Sequence, residues 1–297
     1  MNRNKTISSF LNGVLYLTPA LIILITFRIY PIIKSFTMSF YTSYNYFTNE
    51  VYEYGLDNFR YIFSDPEFFR ALQNTLVIVL GVVPMSIIIS IFIAYFLNKN
   101  IKFSALFRGI YFMPFVTSAA AIAVVWRWLY NSRFGLINYF ISILNLDPIG
   151  WLIDPNWALI SLIILTIWRS LGFNIIILLV GMQNINKSYI EAAKIDGANE
   201  GKLFMKIILP LLSPTILFLV LLNTIDAFKI FSEVYTLFNK RPGPLNSALT
   251  MVYYIYDKFS HQYAYGVASA AALVLFIIIL LVTLIQSKFA KRKVHYR

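Results

Sequence analysis

Six apolar runs alternate along the chain with shorter stretches that hold most of its charge. They fall at 11–33, 72–97, 105–129, 157–180, 214–237 and 264–286. Crossing a bilayer takes about 20 apolar residues, so each run is long enough to span. Backbone in hydrocarbon must satisfy its own hydrogen bonds, and all six are therefore predicted to be helices. None shows an evident break, and no internal repeat or low-complexity segment emerges. The first run follows Arg3 and Lys5 in the manner of a signal peptide. It is longer than a typical signal core and lacks a small-x-small cleavage site, so an uncleaved helix is expected.

Composition agrees with this pattern. Of 297 residues, 59% are hydrophobic and 13% charged, against about a half and about a quarter in soluble domains. The expectation is an all-α, polytopic membrane protein forming one transmembrane domain over 1–297, with its largest polar loop at 181–213. The absence of cysteine removes disulfides, thiolate metal sites and cysteine nucleophiles.

The net charge of +12 is informative through its distribution. One set of loops and ends holds 14 basic residues, among them Arg3, Lys5, Lys99, Lys102, Arg108, Lys187, Lys194, Lys202, Lys206, Lys288 and Lys291–Arg297; the other set holds six. Both termini and the polar stretch 188–210 are therefore predicted to be cytoplasmic. Glu50, Glu53, Asp57, Asp65 and Glu67 gather in the first external loop. Positive charge thus reads as topology, and nucleic-acid binding is not expected.

Smaller features follow the same logic. Asp65-Pro66 and Asp154-Pro155 read as helix starts with proline at the first position. Trp126, Trp128, Tyr130, Trp151 and Trp157 read as an interfacial aromatic belt, and Arg28, Lys34 and Arg127 as snorkelling side chains. Alanines at 119–121 and 123, and small residues at 266, 268 and 270–272, allow close helix approach. No phosphate-binding loop is present: Gly201-Lys202 is followed by Leu203, and Asp196 occupies the first glycine position. His261 and His295 are isolated, no His-Glu-x-x-His occurs, and no paired carboxylates suggest acid–base catalysis.

The 188–210 stretch is the largest polar interruption. Ser188-x-x-Glu191 has the form of a capping box, predicting a short helix through Ala192, Ala193 and Ile195. Gly197 would end it in a left-handed cap, and a second helix would start at Asn199 or Glu200 and run through Ile207 to Pro210. Within the spans, ionisable residues default to functional candidates. The fifth run carries Asn223, Asp226, Lys229 and Glu233, whose spacing places them on one helical face with Lys229 and Glu233 able to pair. The fourth carries Trp168, Arg169, Gly172 and Asn174. Two readings stand side by side: these residues contact a solute, or Lys229–Glu233 and Arg169–Asp226 are pairs that hold the bundle together.

One pattern within the polar stretch is specific. Glu191-Ala192-Ala193, three residues, Gly197, nine residues and Ile207-x-Leu209-Pro210 resembles the EAA motif of permease subunits of binding-protein-dependent ABC importers. Gly55–Pro66 and Ala227–Tyr235 are similar to the sugar-uptake branch, the maltose and glycerol-phosphate type. Arg241-Pro-Gly-Pro244 departs from that branch's Gly-Gly-Pro turn. The resemblance implies an ABC-importer permease (MetI-like) fold with six transmembrane helices in a bacterial cell membrane. It also implies a second permease subunit, two ATPase subunits and an extracytoplasmic solute-binding protein as partners, with a carbohydrate as substrate.

Glu191, Ala192, Ala193, Asp196, Gly197, Ala198, Leu209 and Pro210 would then couple to the ATPases. Asn174, Asn223 and Asp226 would be polar sugar contacts, Trp168 a stacking platform, and Arg169 and Lys229 candidates for an anionic group, with Gly172 and Glu233 also along the pathway. No cofactor would be bound by this chain; ATP and Mg would belong to the ATPases, and the chain itself would not be an enzyme. Glycerol phosphate or a glycerophosphodiester is the alternative cargo. A secondary transporter is a remote alternative, because it calls for inverted repeats and broken helices; a purely structural assembly subunit would need no polar residues in its spans.

Overall fold

The computed structural model describes residues 3–45, 48, 50–99 and 104–291. Lys102, Arg292, Lys293, His295 and Arg297, which entered the charge count and motif search, lie outside the described residues. Four helices are long and apolar enough to cross a membrane, and six spans result when each of two bent helix pairs counts as one. The chain forms two compact units: Met1–Asp65 with Ile255–Val274, and Pro66–Tyr254 with Leu275–Arg297.

In the first unit, α1 (Arg3–Leu24) continues through a π-helical turn (Ile25–Ile29) into α2 (Tyr30–Met38). Its spanning part, Gly13–Met38, buries none of its length within the chain, so its apolar sides face lipid or another protein. A small departure from all-α follows, a hairpin of β1 (Tyr41–Asn45) and β2 (Glu50–Tyr54). Then α3 (Asp57–Ser64) carries Asn58, whose amide donates to the carbonyls of Ser39 and Tyr41 at 3.0 Å each. Lys34 lies 5.5 Å over the Tyr41 ring, a cation–π contact at the helix end. Lys258 is buried and pairs with Asp65 at 3.1 Å. Burial pulls its pKa down, but hydrogen bonds to Tyr61 and Asp65 outweigh that and hold it above the ordinary lysine value.

The second unit is organised on α4 (Pro66–Asn98). Its buried residues recur at three- and four-residue steps, including Phe68, Ala71, Thr75, Ile78, Val82, Ser86, Ser90 and Ala94, the stripe of one helical face. The stripe mixes apolar with small polar residues while Leu80 and Phe96 project outward, the inverse of a soluble helix and apt for lipid surroundings. Next come α5 (Ser104–Val116), α6 (Ala119–Leu129), α7 (Leu136–Ile143) and α8 (Pro155–Gln183). Asp154 caps α8 as its sequence predicts, accepting from the Asn156 amide at 2.9 Å. The chain continues through α9 (Lys187–Ile195), α10 (Glu200–Leu203), a π turn (Phe204–Ile208) and α11 (Leu209–Leu211). It then forms α12 (Ser213–Phe228) and α13 (Ser232–Leu237). A 3-10 turn (Pro244–Asn246) leads into α14 (Met251–Ser260) and α15 (Tyr265–Lys291), which complete the fold. The most extensive packing is between α4 and α8.

Three sequence expectations need correction. The predicted span 105–129 is broken, α5 and α6 meeting at a 103° bend; the 200–211 and 213–228 helices also meet at 64°, where the fifth span is expected to begin. The first bend is not visible as a composition change, because Thr117 and Ser118 are ordinary membrane-helix residues, whereas the second lies between Pro210 and Pro214. The fifth span also ends at Phe228, not 237. Finally, the aromatic belt is in part a buried cluster. Trp126, Tyr130 and Trp151 are buried, with the Tyr130 ring tilted against both tryptophans and its hydroxyl donating to the Ser161 carbonyl at 3.0 Å. The Trp151 indole donates to Asn138 at 2.9 Å. Trp128 is exposed, as an anchor would be.

Candidate functional site

Two places gather the residues singled out above. The first is the 187–211 segment. Its helix begins two residues earlier than a capping box at Ser188 requires: Asn186 is the cap, accepting from the Ser188 amide at 3.0 Å. Ser188 is already helical, so the box does not form. An asparagine at 186 competes for the same role and precedes it in the chain.

The end of α9 follows expectation. Gly197 has φ of +74°, its N–H bonds the Lys194 carbonyl at 3.1 Å, and the Ala198 N–H reaches back to Ala193 at 2.9 Å. This is a Schellman closure, in which glycine adopts the left-handed region without steric cost. Asn199 then caps α10, accepting from the Lys202 amide at 2.9 Å.

Glu191, Ala192, Asp196 and Gly197 are exposed, whereas Ala193 is buried and Ala198, Leu209 and Pro210 are half-buried. Ala192, Ala193, Asp196, Gly197, Ala198 and Pro210 border one open concavity together with Tyr189, Lys202, Lys206 and Ile207. Glu191 and Leu209 do not border it. Ile195 stands 86% exposed beside this concavity's helix, an apolar contact the sequence did not single out.

The segment is tied to α4 by a surface triad. Lys99 Nζ and Tyr95 OH both reach Glu200 Oε2, at 2.9 and 2.8 Å. The hydrogen bond that Lys99 donates to Glu200 holds the Lys99 pKa above its ordinary value. The Tyr95 ring also packs on Phe204 at 4.6 Å.

The second place is a cavity of about 340 Å³. It lies between the two interruptions of regular helix: Phe115 and Ala119 flank the α5–α6 bend, and Lys229 to Phe231 are the unwound link between α12 and α13. Unbroken α8 supplies Thr166, Arg169, Ser170, Phe173 and Asn174 from one face. Non-helical backbone at membrane depth is tolerated where it lines a cavity and its polar groups find partners. Here Thr250 Oγ1 donates to the Ile230 carbonyl at 2.9 Å.

The predicted ion pairs are exchanged. Arg169 Nη1 meets Glu233 Oε1 at 2.5 Å, with the Glu233 side chain 5% exposed, and Lys229 meets Asp226 at 3.5 Å on an exposed rim. The break after Phe228 is the cause, since it removes the helical geometry that would have set Lys229 above Glu233. Asn174 and Asn223 are both buried and join α8 to α12. The Asn223 amide donates to Asn174 Oδ1 at 2.9 Å and to the Leu219 carbonyl at 2.8 Å.

Two predicted pathway residues do not reach the cavity. Trp168 faces away, in edge contact with Trp126 at 5.5 Å. Gly172 is a packing residue, since a Cβ there would lie 2.1 Å from the Tyr111 carbonyl oxygen; α5 can approach α8 only over a glycine. The sequence reading missed the aromatic walls, Phe115 stacked on Phe173 at 4.9 Å, and Phe231. Stepping by three and four from Arg169 gives 166, 170 and 173, so the α8 face was legible from helical period alone.

The comparisons match this architecture. The chain is 35% identical over 275 residues to the lactose transport system permease protein LacF of Rhizobium radiobacter, covering 91% of each. It is 34% identical over 279 residues to the arabinooligosaccharides transport system permease protein AraP of Bacillus subtilis (strain 168), covering 93% of this chain and 87% of that one. Among solved structures, it superposes with a TM-score of 0.84 on a chain of a bacterial alginate ABC transporter in complex with an alginate pentasaccharide-bound periplasmic protein. That match has 25% identity and covers 97% of this chain and 96% of the other. The model of the family described as the binding-protein-dependent transport system inner membrane component matches residues 86–295. With most of its length inside that model and its helices arranged as in a solved transporter, the chain belongs to the family of binding-protein-dependent transport system inner membrane components.

Proposed function

We propose that this chain is a permease subunit of an ATP-driven importer and that it passes a carbohydrate through the cavity between α8 and α12. The observation that carries this reading is the cavity itself. It has buried amides, hydroxyls and stacked phenylalanines at two helix interruptions, a combination of flat apolar faces and convergent polar groups suited to sugar rings. The names of the relatives, lactose and arabinooligosaccharide permeases, support the substrate class.

In this reading the chain sits in a bacterial cell membrane with the 187–211 segment on the cytoplasmic side. It pairs with a second permease, and two ATPase subunits grip the concavity bordered by Ala192, Asp196, Gly197 and Pro210. An extracytoplasmic solute-binding protein delivers the sugar, as the periplasmic protein in the alginate complex supports. The chain binds no cofactor and catalyses no reaction; ATP and Mg act in the ATPases.

The test is uptake by the reconstituted complex in vesicles. Asn223→Leu should abolish sugar entry while leaving subunit association intact. Glu191→Lys and Gly197→Pro should leave the permease in the membrane but release or uncouple the ATPases. Wild-type uptake in all three would reject the reading.

A further inference from the structure

We propose that the cavity admits uncharged sugars and turns anionic ones away, with Glu233 as the residue that sets this selectivity. The inference rests on the reading of this cavity as the sugar passage.

Four ionised side chains border the cavity, Arg169 and Lys229 against Asp226 and Glu233, so its formal charge is zero. An unpaired guanidinium inside the cavity would be a strong carboxylate or phosphate site. Here its Nη1 is already held at 2.5 Å by a carboxylate that is itself only 5% exposed. An incoming carboxylate would have to displace Glu233 or sit beside it as a like charge in a low-dielectric setting, and both are costly. Lys229 is partnered by Asp226, and that pair lies on the exposed rim where water and salt screen it.

What remains inside is neutral. Thr166 and Ser170 offer hydroxyls, Asn174 and Asn223 amides, and Phe115 and Phe173 apolar faces. Among the described residues, Arg169 Nε is buried without a hydrogen-bond partner, a donor that a hydroxyl oxygen could satisfy only by moving the side chain. The set suits a polyol better than a uronate or a phosphate ester.

Isothermal titration of the purified complex of both permeases and ATPases, without the binding protein, isolates this selectivity from that of the delivery protein. Lactose and an arabinooligosaccharide serve as neutral probes, and alginate pentasaccharide as the anionic one. Wild type should show no heat with the alginate pentasaccharide. Glu233→Gln, which frees the guanidinium, should gain a measurable binding heat with it, and this binding should weaken as salt is raised. The double variant Arg169→Gln/Glu233→Gln should lose it again.

If wild type binds the alginate pentasaccharide and the double variant does not, the selectivity proposal is overturned while the cavity keeps its role as the passage. An assembled Glu233→Gln complex that gains no anion binding overturns it as well. Should Glu233→Gln fail to assemble, the wild-type and double-variant titrations decide alone. Asn174→Leu separates the two levels: neutral-sugar binding that survives it removes the cavity as the passage and rejects the underlying reading.

Discussion

The 187–211 segment and the cavity are built in opposite ways. The segment is made from contacts close in sequence: Asn186 bonds two residues on, Gly197 and Ala198 bond three and five residues back, and Asn199 bonds three residues on. Its functional surface is exposed. The cavity is made from contacts far apart in sequence, Asn174 with Asn223 and Arg169 with Glu233, and its partners are buried. If the segment is gripped by a partner and the cavity holds a solute, as proposed, the first need is met by local geometry and the second by long-range pairing. Damage to the first should therefore stay local, and damage to the second should spread through the bundle.

The largest effect that would sharpen this contrast is at Arg169. Arg169→Ala leaves the buried Glu233 carboxylate uncompensated and should cost about 3 kcal/mol, read as unfolding in detergent by denaturant titration. The doubly neutral Arg169→Gln/Glu233→Gln should recover most of it. A loss below about 1 kcal/mol would mean that the pair is better hydrated than its burial indicates. Next comes Asn223→Leu, which strips Asn174 of its partner and should cost about 2 kcal/mol together with loss of sugar uptake.

Gly197→Ala is gentler. No atom lies within 4 Å of the added Cβ, so the penalty is that of the left-handed backbone alone, about 1 kcal/mol. It should depress ATPase coupling and leave sugar titration of the cavity untouched; a changed sugar affinity would break the proposed separation of the two regions. The smallest effect is at Glu200→Gln. It should leave the melting temperature where it was, because the Lys99–Glu200 pair is solvent-exposed, yet reduce the sugar-stimulated ATPase rate of the complex.

The same contrast explains what could be read before any coordinates. The Gly197 cap and the start of α10 were legible because each depends on residues a few positions apart. The Ser188 box failed for a local reason, a better cap two residues earlier, and so could have been caught. The pairing of Arg169 with Glu233 could not. It depends on the chain unwinding over 229–231, and that unwinding is permitted by Thr250, twenty residues away, accepting no help from sequence period. Gly172 was chosen for the right helix but the wrong stripe, since only the approach of α5 shows which side of α8 needs a missing side chain.

The contact of Glu200 with Lys99 and Tyr95 has a mechanical meaning. It joins the second short helix of the 187–211 segment to the far end of a single 33-residue helix, a strut of about 50 Å that lies along α8 and so beside the cavity walls. Force applied at one end of a stiff rod arrives at the other as displacement, and Pro84 within α4 removes one backbone hydrogen bond partway along. The strut is therefore tied at one end to the segment, packed along its side against α8 and interrupted by a compliant point between them, which are the parts the proposed coupling would need to act as a lever.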